Sequence, residues 1–403
     1  MNKPAFIVLA LLLMVMSLGA GAAAQDAAAS RFTLAVIPDT QRYAAWNPDV
    51  FASQTQWIAD NAAERNVVFT VHLGDITEND NVVEEWEAVS DVMAILENAG
   101  LQYSTVPGNH DIISEVPDNE RDLSAELYPV YFPASRFENN PTFGGFTENG
   151  FNNYFIFEGA GQEFLVLGLD YVPSDETLAW AQGVLDAHAT LPVILVAHSI
   201  LTSTCELGDE TCTDGAVFTS TGERLWEDFI RANAQIFLTI NGHSWPPERM
   251  TLQNDAGNDV HLMLTNYQAE FFGGNGHMRL LEFDLVNSTI SATTFSPWVM
   301  AKPENRRGPS DVVEKTDDRN QFVIDINFAE RFAGFTELVV AQGDNGGDTM
   351  TDPALIEGTV AYWRFDGENT PEGEPIPAEG VVVTDVSGNG NDLVRVDLPN
   401  ASP

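Results

Sequence analysis

Three consecutive polar side chains, Asn109, His110 and Asp111, follow an apolar stretch at 103–106 and a Pro-Gly pair. An amide oxygen, an imidazole and a carboxylate in a row are hard to explain by packing. Together they offer oxygen and nitrogen ligands for a cation and a group that exchanges protons near neutral pH. The stretch therefore indicates metal binding or acid–base chemistry at the tip of a strand.

Other polar side chains also follow apolar runs, namely Asp39, Asp75, His198 and His243. Each one alone has an ordinary explanation, because an Asp after a strand often caps a helix or builds a turn. A lone His there is often part of a structural hydrogen bond. With Asn109 they make five at successive strand ends, which favours a shared site. A mixture of carboxylate, amide and imidazole ligands suits Zn²⁺, Mn²⁺, Fe or Ni better than a pure calcium cage.

Alternating strands and helices explain how the first three of these residues would meet. Sequence patterns predict strands at 31–37, 67–73 and 103–106 and helices at 49–65 and 82–98. The intervals from Asp39 to Asp75 and from Asp75 to Asn109, 36 and 34 residues, match βαβ units with right-handed crossovers. Such strands are parallel, so the three side chains would leave one edge of a sheet, where open α/β sheets bind ligands.

The later part of the chain predicts a second set of strands. They are expected at 154–157, 163–169, 192–197 and 235–240, followed by mostly antiparallel strands within 246–296. The strands at 192–197 and 235–240 end at His198 and His243. Residues 112–150 are rich in Glu, Asn, Pro and Gly and indicate an inserted loop region over the strand tips. Together these patterns predict a layered α/β architecture with a sheet sandwich.

These motifs resemble those of the calcineurin-like metallophosphoesterases over about residues 32–300. The resemblance rests on Asp39-Thr40-Gln41, Gly74-Asp75, Gly108-Asn109-His110-Asp111, His198 and Gly242-His243, in that order. It implies a four-layer α/β/β/α sandwich with two divalent metal ions at the strand tips, for which Mn²⁺, Zn²⁺, Fe and Ca²⁺ are candidates. It also implies hydrolysis of phosphate mono- or diesters by a metal-activated hydroxide.

The resemblance assigns one complete metal site. Asp75 would bridge both ions, and Asn109, His198 and His243 would complete the first site. His110 would stand over the phosphate, and Asp111 would orient the His110 ring and support its positive charge.

The other site departs from the family pattern. It would use Asp39, Asp75 and two positions that are usually His, which are Gln41 and Trp245 here. Gln41 still offers an amide oxygen, whereas the indole nitrogen of Trp245 is only a donor. We therefore expect this site to bind metal weakly or to prefer a harder ion such as Mn²⁺ or Mg²⁺.

The pocket around the metals has further candidates. Trp245 is expected to form an apolar wall. His277 and His261 are the remaining imidazoles that could reach the rim, and His277 lies between two late strands. The loss of two His ligands keeps a second function class open, a catalytically weak binding or adhesion protein on the same fold.

The composition limits the classes of partner that the protein can bind, and its cysteines bear on the cellular compartment. Sixty acidic against 18 basic residues give a net charge of −42, which disfavours nucleic acid polymers and favours a small phosphate ester. The two cysteines, Cys205 and Cys212, predict a local disulfide, with a two-Cys metal clip as the alternative.

The resemblance places a phosphoesterase domain at 31–335. The N-terminal end of the chain predicts a signal segment, and the C-terminal end predicts a linker and a further module. Residues 1–24 read as a secretory signal and indicate a secreted or periplasmic protein without a stable membrane anchor, an uncleaved anchor being the alternative. Residues 336–357 read as a linker. Residues 358–403 resemble the incomplete start of a laminin-G or concanavalin A-like jelly roll, through YWRFD and DVSGNGND. A full module would imply glycan binding; an acidic flexible tail is the alternative.

Overall fold

Two sheets organise the part of the chain that the structure describes. The computed structural model describes residues 30–332, except 210, 211 and 213, and the strand residues 380–383 and 393–395. The chain divides into two units, one of residues 28–339 and one of residues 1–27 with 340–403. Within the described residues, the first unit contains two seven-stranded sheets.

The first sheet has a parallel half and an antiparallel half. Its strands are β1 (Arg31–Ile37), β2 (Val67–His72), β3 (Tyr103–Thr105), β13 (Met278–Asp284), β14 (Thr289–Phe295), β15 (Glu314–Lys315) and β16 (Phe322–Asp325). The order is β15-β14-β13-β1-β2-β3, and β16 also pairs with β14. Strands β1, β2 and β3 are parallel, and the other pairings are antiparallel.

The second sheet is parallel in its centre and antiparallel at both edges. Its strands are β4 (Phe143–Phe146), β5 (Asn153–Gly159), β6 (Gln162–Leu169), β7 (Val193–Ala197), β10 (Ile236–Asn241), β11 (Glu248–Gln253) and β12 (Asp259–Leu264). The order is β11-β12-β10-β7-β6-β5-β4, with β6, β7, β10 and β12 parallel. Every residue of β7 is buried, as expected for a central strand covered on both faces. A short hairpin of β8 (Leu201–Ser203) and β9 (Ala216–Phe218) forms a separate two-stranded sheet.

Helices cover the outer face of each sheet. The helices are α1 (Gln41–Trp46), α2 (Asp49–Arg65), α3 (Val83–Asn98), α4 (Tyr128–Tyr131), α5 (Asp175–Ala187), α6 (Ser220–Leu225), α7 (Pro297–Ala301) and α8 (Phe328–Arg331). Helices α2 and α3 pack with the first sheet, whereas α5 and α6 bury Leu178, Leu185 and Leu225 against the second. The predicted four-layer α/β/β/α sandwich is therefore confirmed.

Aromatic rings fill the space between the two sheets. Phe32 of the first sheet stacks on Phe283 at 4.5 Å and contacts Phe164 of the second sheet at 5.0 Å. Phe69 stacks on Phe157 across the same interface at 5.3 Å. These rings are buried, and such contacts add to the free energy gained by removing their surface from water. The aromatic layer fixes the separation of the sheets whose ends carry the candidate site.

Most predicted elements agree with the structure, and the differences have simple causes. The helix at 49–65 has the predicted bounds, and the helix expected at 82–98 begins one residue later. Helix α1 was not predicted, because six residues are too few to show an amphipathic period. Helix α6, which continues into a π-helical turn at Trp226–Ile230, was not predicted either. The region 112–150 is mostly irregular, as expected, with short helical turns and β4.

Cys205 and Cys212 form a disulfide that closes a short loop after β8. The predicted disulfide is confirmed, and the two-Cys metal clip is wrong because both sulfur atoms are used in the bond. Arg319 donates a hydrogen bond to the carbonyl of Cys212 and forms an ion pair with Glu248. The loop is thus held to the edge of the second sheet.

The predictions for the chain ends fall largely outside the described residues. Residues 1–24 and 336–357 are not described. Of the segment 358–403, the structure describes two antiparallel strands, β17 (Gly380–Val383) and β18 (Leu393–Arg395). The laminin-G or concanavalin A-like module therefore stays a prediction. Within the described ranges, no helix is both long and apolar enough to cross a bilayer.

A buried ion pair anchors the irregular segment 112–150 to the second sheet. Arg121 donates two hydrogen bonds to the carboxylate of Asp170, at 2.5 and 2.7 Å, and both side chains are fully buried. Burial raises the pKa of Asp170, although the guanidinium opposes this shift. Arg121 also donates to the carbonyls of Ser114 and Val116. The pair therefore fixes the path of the segment just after the Asn109-His110-Asp111 run.

We expect Asp170→Ala to lower the free energy of unfolding by about 3–5 kcal/mol, because the buried guanidinium loses its partner. Urea denaturation followed by tryptophan fluorescence measures this change. Asp255→Ala, which removes an ion pair with Arg231 at the surface, is the matched control and should have little effect. Equal effects of the two substitutions would show that the buried pair has no special role.

Candidate metal centre

The carboxyl ends of parallel strands from both sheets meet at one place. Asp39, Asp75 and Asn109 follow β1, β2 and β3 of the first sheet, and His198 and His243 follow β7 and β10 of the second. The parallel pairing of β1, β2 and β3 inferred from the spacing is present. All five side chains are linked by the contacts described below.

Three of these residues form a compact donor cluster. The ligand atoms of Asp75, His198 and His243 lie within 4.8 Å of one another. His198 Nε2 is 3.2 Å from Asp75 Oδ1, and Asn109 Oδ1 is 2.9 Å from His243 Nδ1. Two imidazoles, a carboxylate and an amide oxygen therefore surround one point.

Asp39 extends this cluster and ties it to the second sheet. Its Oδ2 accepts hydrogen bonds from the backbone N–H of His243, at 3.0 Å, and from Nδ2 of Asn266, at 2.9 Å. The side chain is buried, and burial raises the pKa of Asp39 well above its usual range, although His198 opposes this. The second carboxylate is thus held near the first by donors from the other sheet.

The electrostatics of the cluster centre on His198. Burial alone would lower its pKa, but Asp75 and then Asp39 raise the pKa of His198 to about 9. Burial would raise the pKa of Asp75, whereas His198 lowers the pKa of that carboxyl to about 2. Burial and the charge of His198 lower the pKa of His243 to about 4. A cation is therefore favoured beside the two carboxylates, and a proton on His198 and a metal ion are alternative ways to supply it.

Several buried polar atoms are left free to bind such a cation. Asp75 Oδ2, His198 Nε2 and Gln41 Oε1 have no hydrogen-bond partner among the described residues. The 3.2 Å contact of His198 Nε2 with Asp75 is thus an ion pair without hydrogen-bond geometry. Since buried polar groups are normally paired, these atoms indicate a missing ligand. The donor types fit a divalent transition metal.

The orientation of His198 supports this fit. Its Nδ1 lies 2.7 Å from the carbonyl oxygen of Leu73. A carbonyl can only accept, so Nδ1 carries the proton and Nε2 is left as the free ring nitrogen. Metal-binding histidines are held in this way by an outer hydrogen bond.

Two of the donor residues have a strained backbone. Asp75 has φ of 50° and His243 has φ of 68°, in the left-handed region that residues with a Cβ rarely adopt. Such conformations cost about 1–3 kcal/mol each and persist where the surrounding structure imposes them. The strain therefore coincides with the donors themselves.

The role expected for Asp111 is wrong. The ring of His110 does not rest on Asp111: His110 Nδ1 lies 2.8 Å from the carbonyl oxygen of Glu78. The Asp111 carboxylate is fully buried and accepts hydrogen bonds from the backbone N–H groups of Ile76, Thr77 and Gly108. Asp111 therefore clamps the loop after β2 to the loop after β3, because its side chain points at backbone donors and not at the ring.

A cavity of about 330 Å³ opens beside the cluster. Asp75, Asn109, His110 and His243 line it, together with Gln41, Arg42, Thr202, Ser244, Trp245 and Gln268. Trp245 is 43% exposed and forms one wall, in the place expected for it.

His277 and His261 lie elsewhere. His277 is buried with Nδ1 2.7 Å from the carbonyl oxygen of Gly274, and its ring packs on Tyr267. It does not belong to the described lining of the cavity. His261 lies on β12, 3.0 Å from the Thr251 hydroxyl. Neither imidazole replaces the family ligands at Gln41 and Trp245.

The sequence patterns missed two residues at the site, Tyr171 and Asn266. Tyr171 lies with its ring 5.7 Å from that of His198 and 5.4 Å from that of His243. It follows the predicted strand at 163–169, so the strand-end rule used for the other residues could have found it. Asn266 follows β12 in the same way, but the hairpin pattern of that region concealed a parallel strand.

A curated relative, the uncharacterized protein YvnB of Bacillus subtilis (strain 168), is 29% identical over 277 residues, which are 67% of this chain and 20% of that protein. The chain thus spans about a fifth of the length of this relative.

Two solved structures are also similar to this chain, with low sequence identity. GAP50, the anchor in the inner membrane complex of Plasmodium, is 14% identical with a TM-score of 0.39, over 79% of this chain and 99% of that chain. TT1561 of Thermus thermophilus is 11% identical with a TM-score of 0.35, over 66% and 94% of the two chains.

The family match covers more than half of the chain and includes the whole donor cluster. The sequence model of the Calcineurin-like phosphoesterase family matches residues 32–247. This range contains all five strand-end residues that meet at the site. The chain belongs to the calcineurin-like phosphoesterase family.

Proposed function

We propose that this protein hydrolyses phosphate mono- or diesters with the help of two divalent metal ions. The observation that carries the proposal is the cluster of Asp75, His198 and His243, which lies beside an open cavity. Family membership supports phosphorus as the reacting centre. Divalent cations held at the cluster would bind phosphoryl oxygens and lower the pKa of a coordinated water to near neutral.

The chain contributes a fixed set of donors for those cations. His198 presents Nε2 because its Nδ1 donates to Leu73, and Asp75 has one carboxylate oxygen without a protein partner among the described residues. Asn109 and His243 complete the imidazole-containing position. Because Asp75 and Asp39 are buried, little reorganisation is needed when substrate enters.

His110 is the proposed proton donor to the leaving oxygen. Its backbone N–H donates to Asp75 Oδ1 at 3.0 Å, which places the residue directly beside the donor cluster. The Glu78 carbonyl holds the proton on Nδ1, so Nε2 is the nitrogen free to exchange a proton with substrate. A protonated ring would also stabilise negative charge on the phosphoryl oxygens.

Arg42 places a positively charged guanidinium at the cavity of a protein whose net charge is strongly negative. It lines the cavity and forms an ion pair with Glu78 at 3.2 Å. Its side chain is half exposed, so it can turn toward a phosphate without the cost of leaving a buried position. This local positive charge favours a small anionic ester in spite of the net charge of −42.

A binding or adhesion role with weak turnover is the second candidate. It is favoured by Gln41 and Trp245, which occupy two positions where the family usually has His. The same fold would then hold a cation and a phosphate group without efficient hydrolysis.

We propose in addition that the protein works in a secreted or periplasmic location. The signal-like residues 1–24 support this, and the Cys205–Cys212 disulfide is of a kind that persists in oxidising compartments. Glycan binding by a complete C-terminal module remains a proposal that rests on the tail resemblance.

Gly108 leaves the space that the Asp75 carboxylate occupies at the donor cluster. A Cβ on Gly108 would lie 2.2 Å from Asp75 Oδ1. Real carbon atoms do not approach so closely, so any side chain at this position would displace the proposed bridging ligand.

The activity test is hydrolysis of bis(p-nitrophenyl) phosphate and p-nitrophenyl phosphate with added Mn²⁺, Zn²⁺ or Ca²⁺. We expect turnover of at least one ester, and His110→Ala should lower kcat by about 10²–10⁴ because the proton donor is lost. His188→Ala, at the end of α5 and outside the cavity, is the matched control and should keep full activity. Absence of turnover with every metal would favour the binding role.

The glycine predicts a separate effect on metal content. Gly108→Ala should reduce bound metal after dialysis well below that of the wild type, because Asp75 is displaced; elemental analysis measures this. Gly183→Ala is the control, since a Cβ there meets no atom within 4 Å and Ala favours the helix. Normal metal content in Gly108→Ala would contradict the role of Asp75 as a ligand.

A further inference from the structure

We infer that Gln41 and Gln268 supply two amide oxygens that, with Asp39 and Asp75, form an oxygen-only position for a hard divalent cation such as Mg²⁺, Mn²⁺ or Ca²⁺. This position is chemically distinct from the one built with His198 and His243. The inference rests on the metal-dependent function proposed above and names the cation that its second position selects.

Gln268 presents an unused oxygen to the cavity. The side chain is 8% exposed and lines the cavity with Asp75 and Gln41. Its Nε2 donates to the backbone carbonyl of His243 at 3.1 Å. Because that carbonyl can only accept, the orientation of the amide is fixed and Oε1 is the free atom. Gln268 Oε1 is buried and has no hydrogen-bond partner within the described ranges.

Gln41 presents a second oxygen of the same kind. Its side chain is 1% exposed, and Oε1 is buried without a partner in the described part of the chain. The backbone N–H of Gln41 donates to the backbone carbonyl oxygen of Asp75 at 2.9 Å, so the two residues are neighbours in the structure.

One side chain joins Gln268 to the carboxylates. Asn266 donates from Nδ2 to Asp39 Oδ2 at 2.9 Å, and its Oδ1 accepts from the backbone N–H of Gln268 at 2.9 Å. Asp75 lines the same cavity, and its Oδ2 is also unpartnered among the described atoms. Asp39 is therefore tied to the backbone of Gln268, while Asp75, Gln41 and Gln268 line one cavity.

The donor set decides which ions it can hold. Carboxylate and carbonyl oxygens suit Mg²⁺, Ca²⁺ and Mn²⁺, whereas imidazole suits Zn²⁺, Fe and Ni. Trp245 lines the same cavity but has no lone pair on nitrogen to offer a metal. The two positions should consequently load with different cations, the imidazole position more tightly.

The test uses the full chain, stripped of metal and reloaded with one equivalent of Zn²⁺. Mn²⁺ is then titrated, with binding followed by electron paramagnetic resonance and calorimetry. We expect one Mn²⁺ to bind beside a retained Zn²⁺. Gln41→Leu and Gln268→Leu should each weaken the Mn²⁺ affinity by about tenfold or more while the Zn²⁺ content stays unchanged.

A variant that binds Mn²⁺ more tightly separates the loss of a ligand from a folding defect, because a folding defect can only weaken binding. Gln41→Glu should tighten Mn²⁺ binding, because a carboxylate replaces a neutral oxygen at the same place. Gln102→Leu is the matched control: Gln102 also has a buried unpartnered Oε1 among the described residues but lies outside the cavity lining. Its Mn²⁺ affinity should equal that of the wild type.

Other outcomes would overturn the inference. Unchanged Mn²⁺ affinity in both Leu variants, with weaker binding of inorganic phosphate, would assign the two amides to the substrate instead. Displacement of Zn²⁺ by the first equivalent of Mn²⁺ would show that there is no separate position. If the protein binds Mn²⁺ as expected but hydrolyses no ester, the inference about the cation position holds and the proposed activity is wrong.

Discussion

The architecture of the site depends on two carboxylates, those of Asp39 and Asp75, that are buried where the two sheets meet. Removing a charged group from water costs several kcal/mol unless opposite charge and hydrogen bonds replace the solvent. Here the replacement comes from the other sheet, through His198 beside Asp75 and the backbone N–H of His243 beside Asp39. The sandwich and the metal centre are therefore stabilised by the same contacts.

The loops at the strand ends are shaped to keep those charges in place. Asp111 joins the loops after β2 and β3 by accepting from three backbone N–H groups, and it leaves the His110 ring to Glu78. The left-handed backbone at Asp75 and His243 turns each side chain at the point where its strand ends. The irregular segment that follows is held by the buried Arg121–Asp170 pair. Rigid supports thus surround the donors on several sides.

The sequence was informative where function and local pattern coincide. Polar residues after apolar runs, at βαβ spacing, predicted that Asp39, Asp75 and Asn109 would leave one sheet edge, because parallel strands place their ends together. The same logic brought in His198 and His243. Helix α2 was predicted with its bounds because seventeen residues give a clear period.

What the sequence did not reveal depends on contacts between distant segments. Nothing in the GNHD run tells that Asp111 serves the backbone of Ile76 and Thr77, since that depends on how two loops approach. The role of Gln268 follows from a parallel strand, β12, inserted among antiparallel ones. The sequence places His277 between two late strands, which suggested a position near the rim, yet its ring packs on Tyr267. Tertiary packing decides such cases, and one-dimensional patterns do not record it.

The distribution of donors between the two sheets also gives the centre an order of assembly. All donors from the first sheet precede residue 110 and offer oxygen atoms, whereas both imidazoles belong to the second sheet, and His243 comes late in the chain. A nascent polypeptide that has folded only β1, β2 and β3 offers oxygen ligands alone and has no nitrogen ligand for a transition metal. The selection of the tighter cation is consequently made by the finished sandwich, after synthesis has passed the tenth strand.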